Sequence, residues 1–350
     1  MTDHYIIKDT DPILITGSNG FIGSRVVKTL IEYGFRNLRC FVRPSSNLET
    51  LKEIIHSAQV DNRVEILQGN LLSRDDCKKA VEGALIIYHL SAGIEKSFPG
   101  SFMNTVVTTR NLLDEVIKNQ NFKRFVNVSS FAVYSNMNLK HGGLLDETSE
   151  VETKPEDRGE AYCYSKVKQD ELVLEYSRRY HLPYVIVRPG AVFGPGINSI
   201  TGRVGIDTFG TFLHLGGLYR IPFTYVDNCA EAIVLSGIKK GADGEIFNVV
   251  DDDLPTSRQF LKLYKKNVKD FKSIYIPHSF SYLLCWLWES YSKWSKGQLP
   301  PVFNRNRWAA EWKGFVYSNR KAKELLGWSP RIPLDEALRR YFEYQKEAEA

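Results

Sequence analysis

Residues 14–23 read Leu14-Ile-Thr-Gly-Ser-Asn-Gly-Phe-Ile-Gly23, a short apolar run followed by three glycines spaced Gly-x-x-Gly-x-x-Gly. Gly17 suits a tight turn with positive φ, and Gly20 leaves room for a phosphate near the backbone. Gly23 permits close packing of a helix on a strand. An amphipathic stripe follows and predicts a helix. The first backbone amides of this helix are expected to face the phosphates. The pattern predicts a strand, a glycine turn and a helix that bind a dinucleotide cofactor.

A second pattern, Tyr162-Cys-Tyr-Ser-Lys166, places a tyrosine and a lysine one helical turn apart. Such residues share a helix face. Tyrosine has an ordinary pKa of about 10 and is a poor base at neutral pH, whereas a neighbouring ammonium group would lower that pKa. The pair therefore predicts an acid/base centre beside the cofactor. Tyr164 and Lys168 have the same spacing, but only the first frame reads Tyr-x-x-Ser-Lys, so we favour it.

Further motifs follow along the chain at Gly69–Leu71, Tyr88–Gly93, Val128–Tyr134, Arg188–Pro195, Tyr225–Ala232 and Asn319–Trp328. In this order they resemble the extended short-chain dehydrogenase/reductase family, which includes NAD-dependent epimerases and dehydratases and the 3β-hydroxysteroid dehydrogenase/dihydroflavonol reductase-like enzymes. The resemblance implies an α/β fold with a Rossmann-type doubly wound parallel sheet. We expect a dinucleotide-binding domain at 1–190. Residues 191–350 are expected to form a smaller, partly interleaved substrate lobe, with some segments returning to the first domain.

The resemblance also assigns roles to individual residues. Ser130 is expected to orient the substrate oxygen, and Tyr162 is expected to exchange the proton with it. Lys166 is expected to lower the pKa of Tyr162 and to contact the nicotinamide ribose. The resemblance favours Ser130 over Ser129, because the family's catalytic Ser or Thr lies four residues before a tyrosine, here Tyr134. The cofactor-binding residues implied are Gly17, Asn19, Gly20, Phe21, Ile22, Gly23, Arg43, Asn70, Leu71, Leu90, Ser91, Ala92, Tyr162, Lys166, Pro189 and Val192.

Arg43 bears on the choice between NADP and NAD. It lies 20 residues after Gly23, where an acidic residue would hold the adenosine ribose hydroxyls. An arginine pairs instead with a 2′-phosphate. NADP(H) is therefore the expected cofactor, with NAD(H) left open, and a solvated arginine at a strand end is the alternative interpretation. The family commonly has Asp in place of Asn70, whose amide can still contact adenine.

The composition limits the classes of partner. The chain has 46 Lys and Arg against 41 Asp and Glu and no basic run with interleaved aromatics, so nucleic acid is not an expected partner. Its five cysteines form no CxxC pair and no metal-ligand spacing, which suits a reducing cytoplasm. The polar N-terminus does not resemble a signal peptide, so we expect a cytoplasmic protein. A homodimer is left open. We expect His89 to be a buried structural residue.

Residues 273–288 contain no Asp, Glu, Lys or Arg. This stretch is shorter than the roughly 20 residues that a transmembrane helix needs. Three interpretations stay open: a core helix of the substrate lobe, a lid over an apolar substrate, and a contact with a membrane surface through residues 280–294.

The functional hypothesis is an NAD(P)-dependent oxidoreductase that interconverts a secondary alcohol and a ketone on a sterol-like, lipophilic or sugar-derived small molecule. The first alternative is a sugar-nucleotide epimerase with the same triad, which would need a cationic clamp, for example Arg203 or Arg220. Dehydration is disfavoured because Phe131 and Ala132 follow Ser130, where a dehydratase carries acids. A non-catalytic NADP-sensing protein is a third alternative, disfavoured because Tyr162 and Lys166 are both present.

Overall fold

The computed structural model describes residues 4–60, 64–93, 95, 97–208, 210–296, 298 and 303–349. The strands of this part of the chain are β1 (Ile13–Thr16), β2 (Leu38–Val42), β3 (Val64–Gln68), β4 (Ile86–His89), β5 (Arg124–Val128), β6 (Leu144–Leu145), β7 (Tyr184–Pro189), β8 (Ala191–Phe193), β9 (Gly205–Thr208), β10 (Thr211–His214), β11 (Phe223–Tyr225), β12 (Ile246–Val249), β13 (Ser273–Tyr275) and β14 (Val316–Tyr317).

The α-helices of the same residues are α1 (Phe21–Glu32), α2 (Glu49–Ser57), α3 (Arg74–Val81), α4 (Phe98–Phe102), α5 (Thr108–Val116), α6 (Ala161–Tyr180), α7 (Val226–Ile238), α8 (Ser257–Asn267), α9 (His278–Trp294), α10 (Arg305–Trp312), α11 (Arg320–Leu326) and α12 (Leu334–Glu349). A π-helical turn at Met103–Val107 joins α4 to α5. A 3₁₀ turn at Pro155–Arg158 comes shortly before α6.

A seven-stranded sheet in the order β3-β2-β1-β4-β5-β7-β12 forms the centre of the molecule. Its neighbouring strands all pair in parallel. The chain moves from β1 outward to β3, then returns to β4 and continues in the opposite direction. The order therefore reverses between β1 and β4, where open α/β sheets bind their ligands. The predicted doubly wound parallel fold is confirmed.

Helices cover both faces of this sheet, as its almost fully apolar strands require. On one face α1 and α7 pack together on the strands through residues such as Val26, Leu30 and Ile233, all of which are fully buried. On the other face α3, α5 and α6 bury a second cluster that includes Leu112 and Val173. The central strands of the sheet are thus buried on both faces, whereas the edge strand β3 is partly exposed.

The second half of the chain forms smaller sheets and one strand of the large sheet. Strand β10 pairs with β9 and β13, β8 pairs with β11, and β14 pairs with β6. Strand β12 completes the central sheet by pairing with β7, so part of this half returns to the dinucleotide-binding sheet. The interleaving expected from the sequence is visible here, whereas the boundary at residue 190 stays a prediction.

Two arginines at similar positions in the sheet tie strands to helix ends. Arg124 of β5 is fully buried; its Nη1 donates to the carbonyl oxygens of Ser236, Gly237 and Lys239 at the end of α7, 2.7–3.1 Å away. Its Nε and Nη2 contact Asp243 at 2.8 and 2.7 Å. Arg124 thereby satisfies carbonyl groups that a helix end leaves without partners.

Arg39 of β2 makes the same arrangement nearer to the solvent. Its Nη1 donates to the carbonyl oxygens of Ala80 and Glu82 at the end of α3, and its Nε contacts Glu65 at 2.8 Å. The Arg39 side chain keeps 25% of its surface exposed, whereas that of Arg124 keeps none. Arg124 and Arg39 therefore bind the carbonyl groups of a helix end in the same way, one in the interior and the other near the solvent.

Replacing Arg124 by Met should lower the free energy of unfolding by about 3 kcal/mol, because buried carbonyl groups lose their charged donor. The matched change Arg39→Met should cost only about 1 kcal/mol, since water can replace the lost partner. Urea denaturation followed by circular dichroism measures both values. Equal destabilisation by the two variants would contradict this account of burial.

Candidate functional site

The glycine turn lies where the strand order reverses. Gly17 follows β1 with a φ of 69°, and its carbonyl oxygen accepts a hydrogen bond from the Gly20 amide at 3.0 Å. A Cβ atom on Gly23 would lie 2.0 Å from that carbonyl oxygen, and one on Gly17 would lie 3.0 Å from the amide nitrogen of Ser91. Side chains at Gly17 and Gly23 would therefore push apart the turn and the two strand ends that frame the crevice.

A cleft of about 230 Å³ opens beside this turn, at the carboxyl ends of β1, β2 and β4. Nine of the expected cofactor-binding residues line it: Gly17, Asn19, Gly20, Arg43, Asn70, Leu71, Leu90, Ser91 and Ala92. The sequence did not single out six more lining residues: Phe41, Val42, Ser46, Glu95, Asn104 and Thr108. Helix α1 begins at this cleft with Gly20 as its N-cap, so its first amides are available to an anion.

Other expected cofactor-binding residues lie outside the lining of this cleft. Gly23 packs inside the turn, and Ile22 packs against the cores on both sides of α1. Phe21 lies against Gly196, where a Cβ would be 3.0 Å from the ring. Pro189 ends β7, and Val192 belongs to β8, next to the second lobe. A role for these five residues in cofactor binding stays a prediction.

Ser130 and Tyr162 lie together near the carboxyl end of β5. Ser130 follows that strand and Tyr162 belongs to the first turn of α6, with the Ser130 hydroxyl near enough to lower the pKa of the Tyr162 phenol. The Ser130 Oγ also accepts a hydrogen bond from the Ala132 amide at 3.1 Å. Burial raises the pKa of Tyr162, and the nearby Ser130 hydroxyl opposes this rise. The expected effect of Lys166 was a lower pKa. The net shift of the Tyr162 pKa is upward because burial dominates, and Lys166 Nζ lies 6.0 Å from the Tyr162 ring centre and donates to other partners.

Those partners hold Lys166 in the interior. Its Nζ donates to the carbonyl oxygen of Val128 at 2.7 Å and to Oε1 of Gln169 at 2.9 Å. Burial lowers the pKa of the Lys166 ammonium to about 8, and the nearby charge of Asp170 acts in the opposite direction. The ammonium group has three protons, so one remains for a ligand after these two hydrogen bonds.

The competing tyrosine frame has different surroundings. The ring of Tyr164 packs against Phe98 and Phe102, with centroid distances of 5.5 and 6.2 Å. Lys168 is partly exposed and pairs with Glu171 at 2.8 Å. The structure therefore brings Ser130 together with Tyr162 and Lys166 and leaves the alternative pair among surface contacts.

Beneath the site lies a buried ion pair that the sequence analysis did not find. Asp170 contacts Nη2 of Arg188 at 3.1 Å and accepts hydrogen bonds from Ser129 Oγ and Asn127 Nδ2, both at 2.9 Å. Ser129 is thus occupied as a support, which distinguishes it from Ser130. Asp170 could have been found from its spacing, because it lies one helical turn after Lys166 on α6.

A chain of buried polar side chains connects this centre to the glycine turn. Gln169 Nε2 donates to Thr109 Oγ1 at 2.8 Å, and Thr109 Oγ1 lies 2.8 Å from His89 Nε2. The other ring nitrogen of His89 lies 2.8 Å from Oγ1 of Thr16, the residue before Gly17. Burial lowers the pKa of His89 to about 3, so this histidine is neutral at physiological pH. Its expected structural role agrees with complete burial.

A metal centre is not part of this site in the residues that the structure describes. There, no group of three or more His, Cys, Asp or Glu side chains is arranged to hold a metal ion.

A parallel sheet with a glycine turn at its switch point and a Ser, Tyr, Lys group beside it defines an enzyme of the dinucleotide-dependent Rossmann class. The model of the NAD dependent epimerase/dehydratase family matches residues 13–249. The chain belongs to this family, and thus to the extended short-chain dehydrogenases/reductases.

Relatives with curated names differ in their reactions. The chain is 26% identical to 3beta-hydroxysteroid-dehydrogenase/decarboxylase isoform 1 of Arabidopsis thaliana, over 93% of this chain and 78% of that protein. It is also 26% identical to the dTDP-D-glucose 4,6-dehydratase of Mus musculus, over 95% of this chain and 88% of that one.

A solved structure with the same fold is UDP-glucuronic acid 4-epimerase from Bacillus cereus in complex with UDP-glucuronic acid and NAD. It superimposes with a TM-score of 0.72 at 21% identity, covering 96% of this chain and 99% of that chain. The likeness shows a shared fold. It leaves the substrate of the present enzyme to be argued from its own residues.

Proposed function

We propose that this enzyme is an NADP(H)-dependent oxidoreductase that interconverts a secondary alcohol and a ketone on a lipophilic small molecule. The observation that carries the proposal is that Ser130 and Tyr162 lie together near the carboxyl end of β5, with the ammonium group of Lys166 held by Val128 at 6.0 Å from the Tyr162 ring centre. The nicotinamide, when bound, supplies or accepts the hydride. The protein supplies the binding site, the orientation and the proton.

The residues that line the cleft suit a dinucleotide. Gly17 and Gly23 leave the backbone accessible, and the first amides of α1 are available to a pyrophosphate. Arg43 lies in the lining and has no carboxylate partner among the described residues, so its guanidinium group is available to a 2′-phosphate. Asn70 uses Oδ1 to accept from the Leu72 amide and keeps its Nδ2 for the adenine.

The proton transfer follows from the state of Tyr162. Its raised pKa keeps the phenol protonated at neutral pH, which suits the donation of a proton to the oxygen of a ketone. The Ser130 hydroxyl accepts a hydrogen bond from the Ala132 amide and can donate its own proton to the same ketone oxygen. Lys166 retains its charge over most of the neutral range, with a pKa of about 8, and can stabilise the phenolate that is left.

The proposed lipophilic substrate is supported by what the two candidate clamp arginines do. Arg203 Nη1 donates to the carbonyl oxygen of Ala310 at 3.0 Å, and Arg220 is exposed at the bridge that pairs it with Thr256. Neither arginine lines the cleft beside the glycine turn. Several relatives carry the names of dehydrogenases and reductases that act on hydroxysteroids, sterol carboxylates and dihydroflavonols, and these names support a ring compound that is not a nucleotide sugar.

Net consumption of the cofactor tests the reaction type. With NADPH and a panel of lipophilic ketones, the enzyme should oxidise one equivalent of NADPH for each equivalent of alcohol formed. The loss of nicotinamide absorbance measures this directly, and the same panel with nucleotide sugars serves as the comparison. Epimerisation of a nucleotide sugar without net oxidation would establish the alternative and exclude the proposed reaction.

Tyr162→Phe should lower kcat by about 10²-fold or more, because the reaction loses its general acid. Dissociation constants for the cofactor should change by less than about twofold, since the phenyl ring stays in place. The control Tyr164→Phe should keep nearly full turnover, because that ring packs on Phe98 and Phe102. Loss of turnover in the control alone would assign the reaction to Tyr164 and Lys168.

Arg43→Asp should weaken NADPH binding by about tenfold or more and leave NADH binding within a few-fold, because only NADPH has the 2′-phosphate. Arg43→Lys should give an intermediate value, since it keeps the charge and loses the forked geometry. Fluorescence titration with both cofactors measures the preference. Tighter binding of NADH than of NADPH by the unmodified enzyme would refute the assigned preference.

A further inference from the structure

Helix α9 presents a row of large apolar side chains to the solvent. At helical spacing, the residues on its outer side form what we call the outward stripe: Phe280, Leu283, Leu284, Leu287, Tyr291 and Trp294. Their exposed fractions run from 44% to 78%, with Trp294 the most exposed. Trp286 and Trp288 extend the apolar surface on either side, with exposed fractions of 44% and 37%. Because its large apolar side chains are exposed, α9 is not a core helix, which excludes the first of the three interpretations of this uncharged segment.

The side of α9 that is buried has the opposite character. It consists of Ser281, Cys285 and Ser292, and Ser281 Oγ accepts a hydrogen bond from Trp308 Nε1 of α10 at 2.9 Å. A surface helix of a globular protein normally buries its large apolar residues and exposes polar ones. Here the arrangement is inverted, and a continuous exposed apolar face of this kind marks a contact with another phase or partner.

The charge around α9 is strongly positive. Residues 258–313 contain eleven Lys and Arg against three Asp and Glu, whereas the rest of the chain has more acidic than basic residues. Lys266 and Lys272 are exposed on the approach to α9, and Lys293 and Lys296 are exposed at its end. A lobe of this composition is attracted to an anionic surface.

We propose that α9 binds flat in the interface of an anionic lipid bilayer, with its outward stripe in the boundary between head groups and acyl chains. The Trp and Tyr side chains suit that boundary, and the surrounding lysines suit the anionic head groups. Among the described residues no helix is long and apolar enough to cross a bilayer. A second copy of the chain fits less well, because a two-fold interface would bring the same basic surroundings of α9 together.

The packing of α9 also relates this surface to the catalytic tyrosine. Helix α10, which holds the buried side of α9, begins with Asn304 as its N-cap, and Asn304 Nδ2 donates to the carbonyl oxygen of Arg158 at 2.9 Å. Arg307 of α10 pairs with Glu160 at 3.3 Å, two residues before Tyr162. A bilayer contact at α9 therefore lies one helix away from the segment that leads into the active site.

Sedimentation with lipid vesicles tests the proposal on the full chain. The enzyme should sediment with vesicles of phosphatidylcholine and phosphatidylglycerol in about equal amounts, and much less with phosphatidylcholine alone. Raising the salt from about 0.1 M to about 1 M should weaken binding, because it shortens the screening length from about 10 Å to about 3 Å. The triple variant Leu283→Ser, Leu287→Ser and Trp294→Ser should lower vesicle partitioning by about tenfold or more, because three apolar anchors are removed.

The matched control is the triple variant Leu144→Ser, Tyr180→Ser and Leu325→Ser, which removes three large apolar side chains that are 46–53% exposed elsewhere. It should bind vesicles like the unmodified enzyme, and both variants should keep its thermal unfolding midpoint, because the changes lie on the surface. Failure of the enzyme to sediment with anionic vesicles, or equal loss in both variants, would overturn the proposal. Sedimentation velocity gives the other outcome: a dimer that only the α9 variant dissociates, without vesicle binding, would assign the stripe to a second copy.

Discussion

The buried ammonium group of Lys166 is the constraint around which the site is arranged. A charge removed from water is costly unless hydrogen bonds compensate it. Here the Val128 carbonyl oxygen and Gln169 do so, and Gln169 is held in turn by Thr109. Because Val128 ends β5 and Gln169 lies on α6, the same hydrogen bonds that stabilise the charge fix the helix against the strand. Tyr162, one turn earlier on α6, is positioned as a consequence.

The chain of hydrogen bonds through His89 extends this constraint to the cofactor side. Thr16 immediately precedes the glycine turn, so its contact with His89 links the end of β1 to the end of β4. The neutral state of His89 matters, because a second buried cation so near Lys166 would be repelled by it. The ion pair of Asp170 and Arg188 completes the support from below and fixes Ser129, the neighbour of Ser130.

The enzyme thus separates two kinds of surface. The strand ends of the sheet provide amides, glycines and a few buried polar groups for a dinucleotide. The second lobe carries the excess positive charge and the outward stripe of α9. Helix α10 lies between them, through Asn304 and Arg307 on one side and Trp308 on the other. If α9 binds a bilayer as we propose, a substrate that partitions into lipid would reach the enzyme at that surface.

The sequence by itself determined the local features, because their physics depends on close neighbours. A glycine turn between a buried strand and a helix needs only its own residues, and the spacing of Tyr162 and Lys166 fixes their common helix face. The position of Arg43 at a strand end likewise followed from its distance to the turn. The resemblance to the family extended these features to a whole fold, which the parallel sheet confirms.

Only the tertiary structure decided how distant residues combine. Thr16, His89, Thr109 and Gln169 come from four elements, and no spacing in the sequence indicates that their side chains meet. The raised pKa of Tyr162 depends on burial and on the other partners of Lys166, which a helix face alone does not reveal. Packing also decided the orientation of α9. Its composition predicted an apolar helix, but the side that faces the protein depends on the contact with α10. Burial is a property of packing between elements, and periodicity within one element cannot supply it.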